Sequence, residues 1–330
     1  AYTVKNIPKW NPTNICSYHL QEAGATPTQE LAYALSTAIA ILDAVKASGQ
    51  IEEDRFEAVV GRISFFVNAG IRFVEETCKL RAFGRMWDEM VQERYGVEDP
   101  KQRRFRYGVQ VNSLGLTESQ PENNVQRIVL EMLAVTLSKN ARARAIQLPA
   151  WNEALGLPRP WDQQWALRMQ QVLALETDLL EYGDLFDGSP VVEAKVQELI
   201  AGAREEMQRV SEQGGMVQAI ETGHVKRELV QSHTRRMRAI ESGDLKIVGV
   251  NCFEQTAESP LTSGTDSGIM KVDQKAEREQ IESLQAFRAA RDQGAVTAAL
   301  EELRQAAING ANVMPSSIRC AHAGVTTGEW

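Results

Sequence analysis

The chain has 330 residues, of which 24% are charged and 43% hydrophobic, and it carries a net charge of −8 at pH 7. That length supports a large buried core, and the acidic balance argues against a nucleic-acid partner, which favours a basic surface. No apolar run is long enough for a membrane span and no secretory leader opens the chain. The four scattered cysteines (Cys16, Cys78, Cys252, Cys320) contain no CxxC pair, so a reduced, cytoplasmic protein is expected.

The first predicted strand, residues 14–18, ends at Tyr18-His19 and passes through Gly24 into a helical pattern. Thr26-Pro27 supplies a cap and first-turn proline, Leu31, Leu35, Ile39, Leu42 and Val45 follow at helical spacing, and Gly49 ends the run. Further strands are predicted at 62–67, 105–111 and 143–148, at spacings that leave room for crossover helices. Strand–helix alternation of this kind implies a parallel sheet with helices packed outside it. From about Trp161 the strand signals fade. Val192, Val196, Leu199, Ala203, Met207 and Val210 predict a helix stopped by Gly214-Gly215, and a second helix is expected over 226–242. Ile247-Val248-Gly249-Val250 reads as one short strand. Residues 254–273, with Pro260 and Thr262-Ser263-Gly264, read as a connector before helices at 274–292 and 295–309.

Four strand units suit half of a TIM-type (β/α)8 barrel followed by a mostly helical region, since closure takes about eight. With Ala rather than Met first, the expectation is a truncated chain; an open sheet is the alternative. In the predicted strands, Arg62, Ser64 and Phe66 share one face, as do Arg106, Gly108 and Gln110, and Ala145 and Gln147. The opposite face is branched or aromatic and suits helix packing. The small and polar face fits either a bore for an elongated polar ligand or partial exposure of an open sheet. At a strand's C-terminal end, Tyr18 and His19 are candidates for hydrogen bonding and proton handling, although an isolated histidine also serves structure. His224, His233 and His322 read as surface residues, and Arg235-Arg236-Met237-Arg238 as a solvated helix face. No HExxH, Cys/His cluster, dinucleotide fingerprint or P-loop is present, so no metal site is expected in this stretch.

The run Tyr18-His19-Leu20-Gln21-Glu22-Ala23-Gly24, the strand Arg62-Ile63-Ser64-Phe65-Phe66, and Lys79-Leu80-Arg81-Ala82 resemble the methylmalonyl-CoA mutase family. So do Gln110 to Thr117 leading to Asn123-Asn124-Val125, Asn152-Glu153-Ala154 before Pro158, Gly214-Gly215-Met216 and Val248-Gly249-Val250-Asn251. The forms Ile15-Cys16-Ser17-Tyr18-His19 and Leu148-Pro149-Ala150-Trp151-Asn152-Glu153 look closest to the family's ethylmalonyl-CoA branch.

The resemblance implies an isomerase that rearranges an acyl-CoA carbon skeleton by a radical mechanism with adenosylcobalamin, with ethylmalonyl-CoA to methylsuccinyl-CoA as the expected reaction. A methylmalonyl-CoA or isobutyryl-CoA type of large subunit is the alternative within the family. By matching positions, His19 would hydrogen-bond the thioester carbonyl and Tyr18 would lie near substrate and the deoxyadenosyl group. Arg62, Ser64 and Phe66 would contact the acyl-CoA, and Gln110, Ser113, Glu153, Ala154 and Gly156 would face the cobalamin. The resemblance divides the chain into a half-barrel (1–180), a helical region packed on it (181–255) and a linker with C-terminal helices (256–330). An upstream half-barrel and a cobalamin-binding domain carrying the cobalt-ligating histidine would lie elsewhere. A homodimer, or pairing with a cobalamin-binding domain or subunit, is implied. A reading of another class is a non-catalytic scaffold whose sheet a partner completes.

Overall fold

Alternation of apolar and polar residues along the strands sorts one side of a sheet from the other, and a computed structural model describes the result over residues 1–7, 10–259, 261–262, 269–271 and 273–330. Of the predicted connector, Pro260, Ser263 and Gly264 lie outside the described residues. The chain divides into two compact units, 1–270 and 271–330.

In the first unit, helix α1 (Tyr2–Asn6) precedes strand β1 (Thr13–Cys16), the short helix α2 (Tyr18–Glu22) and the long helix α3 (Pro27–Ala47). Helix α4 (Phe56–Val60), strand β2 (Ile63–Ala69) and helix α5 (Phe73–Tyr95) follow, then β3 (Tyr107–Val111), α6 (Asn123–Thr136) and the two-residue β4 (Ile146–Gln147). The four strands form a parallel sheet in the order β1-β2-β3-β4. This is an α/β arrangement of successive strand–helix units, as in part of a TIM-type barrel. Helices α7 (Pro160–Glu176), α8 (Pro190–Glu212), α9 (Met216–Glu221) and α10 (His224–Glu241) complete the unit.

The core lies between the sheet and its helices. Ile63, Phe65 and Val67 of β2 and Tyr107 and Val109 of β3 are buried against Leu80, Phe83 and Trp87 of α5 and Leu31, Leu35 and Leu42 of α3. Helix α3 starts as its sequence predicts: Thr26 and Gln29 form a reciprocal capping box with Pro27 in the first turn. Helix α8 buries Val192, Val196, Leu199, Ala203 and Val210, its 3.6-residue stripe. Its buried Glu206 accepts a 2.6 Å hydrogen bond from Tyr33 of α3.

Two expectations about strands need correction. Residues 247–250 make no strand: they turn, with only an isolated bridge from Val248 to Cys252, because the Asn251 amide satisfies the carbonyls of Ile240 and Leu245 and its oxygen takes the Ile247 N–H. The first strand stops at Cys16, so Tyr18 and His19 belong to a helix and not to a strand end. After the Ser17 N–H donates to the Phe66 carbonyl (2.9 Å), the Ser17 backbone is already helical (φ −86°, ψ −12°).

The second unit contains α11 (Gln274–Ala290), α12 (Gln293–Ile308) and α13 (Met314–Ala323). Helix α12 packs on α13 through Val296, Ala299 and Cys320, and Arg291 is clamped by Glu329. Asp273 and Asp292 cap α11 and α12. Among the described residues no helix is long and apolar enough to cross a membrane.

Candidate active site

The face of the sheet turned away from the packed helices carries Arg62, Ser64, Phe66 and Gln110, while the other predicted site residues lie in α2 and in loops at its C-terminal edge. Near its N-terminal edge, Arg62 is half-buried and Arg106 sits close to Arg62, Arg104 and Arg144. Burial and these three like charges push the Arg106 guanidinium below its usual range. One strand step on, the Ser64 hydroxyl donates to the Thr13 carbonyl and accepts from the Asn11 amide at 2.6 Å. Phe66 follows, its ring lying over Gly108: a Cβ there would meet the ring at 3.0 Å and the Ala145 methyl at 3.6 Å. A side chain here would push the Phe66 ring aside by a few tenths of an ångström.

At the C-terminal edge Tyr18 meets Phe66 edge-on (5.3 Å between ring centroids, 88°) and lies against the tilted His19 ring at 3.9 Å. The His19 side chain is exposed. Gln110 is buried and donates to the Val111 carbonyl (3.1 Å).

Around the same edge the loops after β1, β3 and β4 converge. The Ser113 hydroxyl donates to Glu22 Oε1 at 3.0 Å and also steadies the Glu153 carboxyl. Burial and the nearby Glu22 push that carboxyl up, while Ser113 pulls it back. Glu153 and the half-buried Ala154 ride on a loop organised by the buried Asp162, which accepts from Trp151 Nε1 (2.9 Å), Asn152 Nδ2 (2.8 Å) and the Arg159 backbone N–H (2.8 Å). Asn124 joins this loop to the one after β3, donating to the Trp151 and Thr117 carbonyls. Gly156 turns at φ +144° against Ile269, whose Cδ1 would lie 3.2 Å from an added Cβ.

The structure thus brings Tyr18, His19 and Phe66 together and gathers Ser113 with Glu153. Arg62 and Ser64 line the same face closer to its other end, and Gly156 is turned aside. Sequence reasoning missed Glu22, Arg106 and Arg144. Glu22 lies in the quoted Gln21-Glu22-Ala23 run, and Arg106 on the face already read as polar, so both signals were present. Among the described residues no three His, Cys, Asp or Glu side chains form a metal-binding group.

Two surface expectations need correction. His233 packs on Gly24, where an added Cβ would sit 2.5 Å from its own Cβ and φ is +102°. Arg236 is half-buried and its guanidinium is pushed down by desolvation, because this side of α10 covers the loop around Gly24, whose carbonyl accepts from Ser232 (2.7 Å).

Residues 1–330 match the methylmalonyl-CoA mutase family. The chain belongs to that family. It is 63% identical over 330 residues to an ethylmalonyl-CoA mutase of Cereibacter sphaeroides, covering all of this chain and 50% of that relative. It is 63% identical over 329 residues to an ethylmalonyl-CoA mutase of Methylorubrum extorquens, covering 48% of it. A methylmalonyl-CoA mutase of Escherichia coli is 34% identical over 330 residues, 44% of its length. The chain spans about half the length of the curated relatives it matches. The match to these mutases extends over the full length of this chain.

Proposed function

We propose that this chain forms the coenzyme A channel and the thioester-binding end of an adenosylcobalamin-dependent acyl-CoA mutase, an isomerase converting ethylmalonyl-CoA to methylsuccinyl-CoA. The observation that carries the proposal is the polarity of the sheet's inner face. Arg62, Arg104, Arg106 and Arg144 cluster at one end, Tyr18 and His19 stand at the other, and a small, narrow wall of Phe66, Gly108 and Ala145 lies between. From Arg62 to Phe66 the strand advances about 13 Å, a path that suits a thin polar arm with an anionic tail.

The arginines neutralise the phosphates of such an arm. His19 donates a hydrogen bond to the thioester oxygen, where negative charge builds as the acyl group migrates between adjacent carbons. Tyr18 and Phe66 keep water off the reacting carbons. Bound cobalamin supplies the radical chemistry. Glu22, Glu153 and Gln110 offer acceptors, and Ser113 a hydroxyl, suited to a ribose and to amide groups. With Ile269 beside it, Gly156 contributes through its backbone alone. The pairing proposed is with a further barrel segment and a cobalamin-binding domain or subunit.

The test is to assay the chain alone and joined to the complementary half of the Cereibacter sphaeroides relative, with a panel of ethylmalonyl-, methylmalonyl- and isobutyryl-CoA. The expected result is isomerisation by the joined protein, fastest with ethylmalonyl-CoA. A folded, cofactor-binding assembly that turns over none of them would overturn the proposal. The scaffold reading also draws on the outer edges of β1 and β4, which have no strand partner among the described residues; coenzyme A binding separates the two readings.

A further inference from the structure

Helix α2, which carries Tyr18 and His19, has five residues, no buried side chain and no side-chain cap. A helix that short has no stability of its own, so its orientation comes from whatever ties it to the sheet. Besides the Ser17 N–H to the Phe66 carbonyl and the Ser113 hydroxyl to Glu22, two side-chain ties, through Ser17 and Gln21, lead to one buried cation. Lys79 of α5 is fully buried, and its ammonium donates to Glu30 Oε2 (2.5 Å), to Gln21 Oε1 (2.9 Å) and to the Asn68 carbonyl at the end of β2 (2.8 Å), with Glu76 as a further ion-pair partner. Glu30 in turn accepts from the Ser17 hydroxyl (2.9 Å) and the Asn68 N–H (2.9 Å), and Gln21 donates to Glu76 (3.1 Å).

Ser17 immediately precedes the Tyr18-His19 pair and Gln21 follows it by two residues. The network therefore grips α2 on both sides of the two residues that face the thioester and fixes them to β2, the strand that carries Phe66. Charge complementarity makes the grip stiff: flanking carboxylates hold the Lys79 ammonium charged despite full burial, and three donors converge on Glu30.

We propose that Lys79, acting through Glu30 and Gln21, is a positioning residue that sets the Tyr18-His19 turn against the end of β2. The proposal rests on the acyl-CoA reading for its catalytic consequence and on geometry alone for the positioning itself. Misplacement of a reacting group by about 1 Å costs on the order of 100-fold in rate.

Because Lys79→Met strands two buried carboxylates and risks misfolding, the test uses Gln21→Met and Ser17→Ala, singly and together. Amide hydrogen exchange is measured on the chain, and turnover on the chain joined to the complementary half of its Cereibacter sphaeroides relative. The double variant is expected to speed exchange at Tyr18–Glu22 by roughly tenfold while the amides of β2, α3 and α5 keep their protection. Turnover is expected to fall roughly 10–100-fold with KM within about threefold of the parent. Unchanged exchange across α2 would overturn the positioning claim whatever the enzyme does. Faster exchange with unchanged turnover would overturn its catalytic consequence. An inactive parent would count against the acyl-CoA reading and leave the exchange experiment to decide the positioning.

Discussion

On the helix-facing side of the sheet, Phe65, Val67 and Val109 are sealed among aromatic and aliphatic partners, with Phe65 within ring contact of Trp87 and Phe105. One residue along the same strands, the other side presents Arg62, Ser64, Phe66, Gly108 and Gln110, with a glycine where a packed barrel interior would place a branched side chain. The first side is filled for stability. The second gives up filling to keep a narrow polar wall, and strand periodicity lets one backbone serve both.

The sharpest way to break that comparison is to alter one residue on each side. Phe65→Ala should destabilise the chain by about 3–5 kcal/mol, read from denaturant midpoints, and leave the acyl-CoA KM of the folded fraction unchanged. His19→Ala, at the exposed end of the other side, should lower turnover of the assembled enzyme by about 100–1,000-fold and shift folding stability by less than about 0.5 kcal/mol. A His19 variant with normal turnover, or one that unfolds, would erase the distinction.

A smaller effect sharpens it further. Glu131 of α6 is buried behind the sheet's C-terminal edge, and burial and Glu76 push its carboxyl up to about 9 while Arg127 pulls it down. Between its ordinary 4.5 and about 9, the folded chain keeps a proton that the unfolded chain has lost. Stability from this group is therefore full at low pH and declines as pH rises through that interval. Glu131→Gln should flatten the decline by about 5 kcal/mol across pH 5–9. A variant whose urea midpoints keep the parental slope would show that Glu131 does not titrate in this way.

Much of the sheet was legible because period-2 alternation is local: the face shared by Arg62, Ser64 and Phe66 follows from spacing alone. The α8 stripe from Val192 to Val210 was legible because the 3.6-residue helical period is equally local. The setting of Tyr18 and His19 was not, since five residues carry no period and their helix is fixed by Lys79 and Glu30 from elsewhere in the chain. Residues 247–250 carry strand-prone side chains, yet one asparagine amide folds them into a turn. Arg236 and His233 read as solvated because nothing local announces that α10 lies over Gly24. Arg62, Ser64 and Phe66 could be assigned to one strand face from sequence, whereas the contacts of Lys79, Asn251 and His233 with distant segments needed coordinates.

The most direct measurement is calorimetric binding of coenzyme A and of pantetheine to the chain joined to its complementary half, for the parent and for Arg62→Ala with Arg106→Ala. Coenzyme A should bind the parent and weaken at least tenfold in the double variant, with each lost phosphate contact worth about 1–3 kcal/mol, while pantetheine binds both alike. Equal coenzyme A affinity in parent and variant would contradict an inner face that runs from a phosphate-binding end to a thioester-binding end.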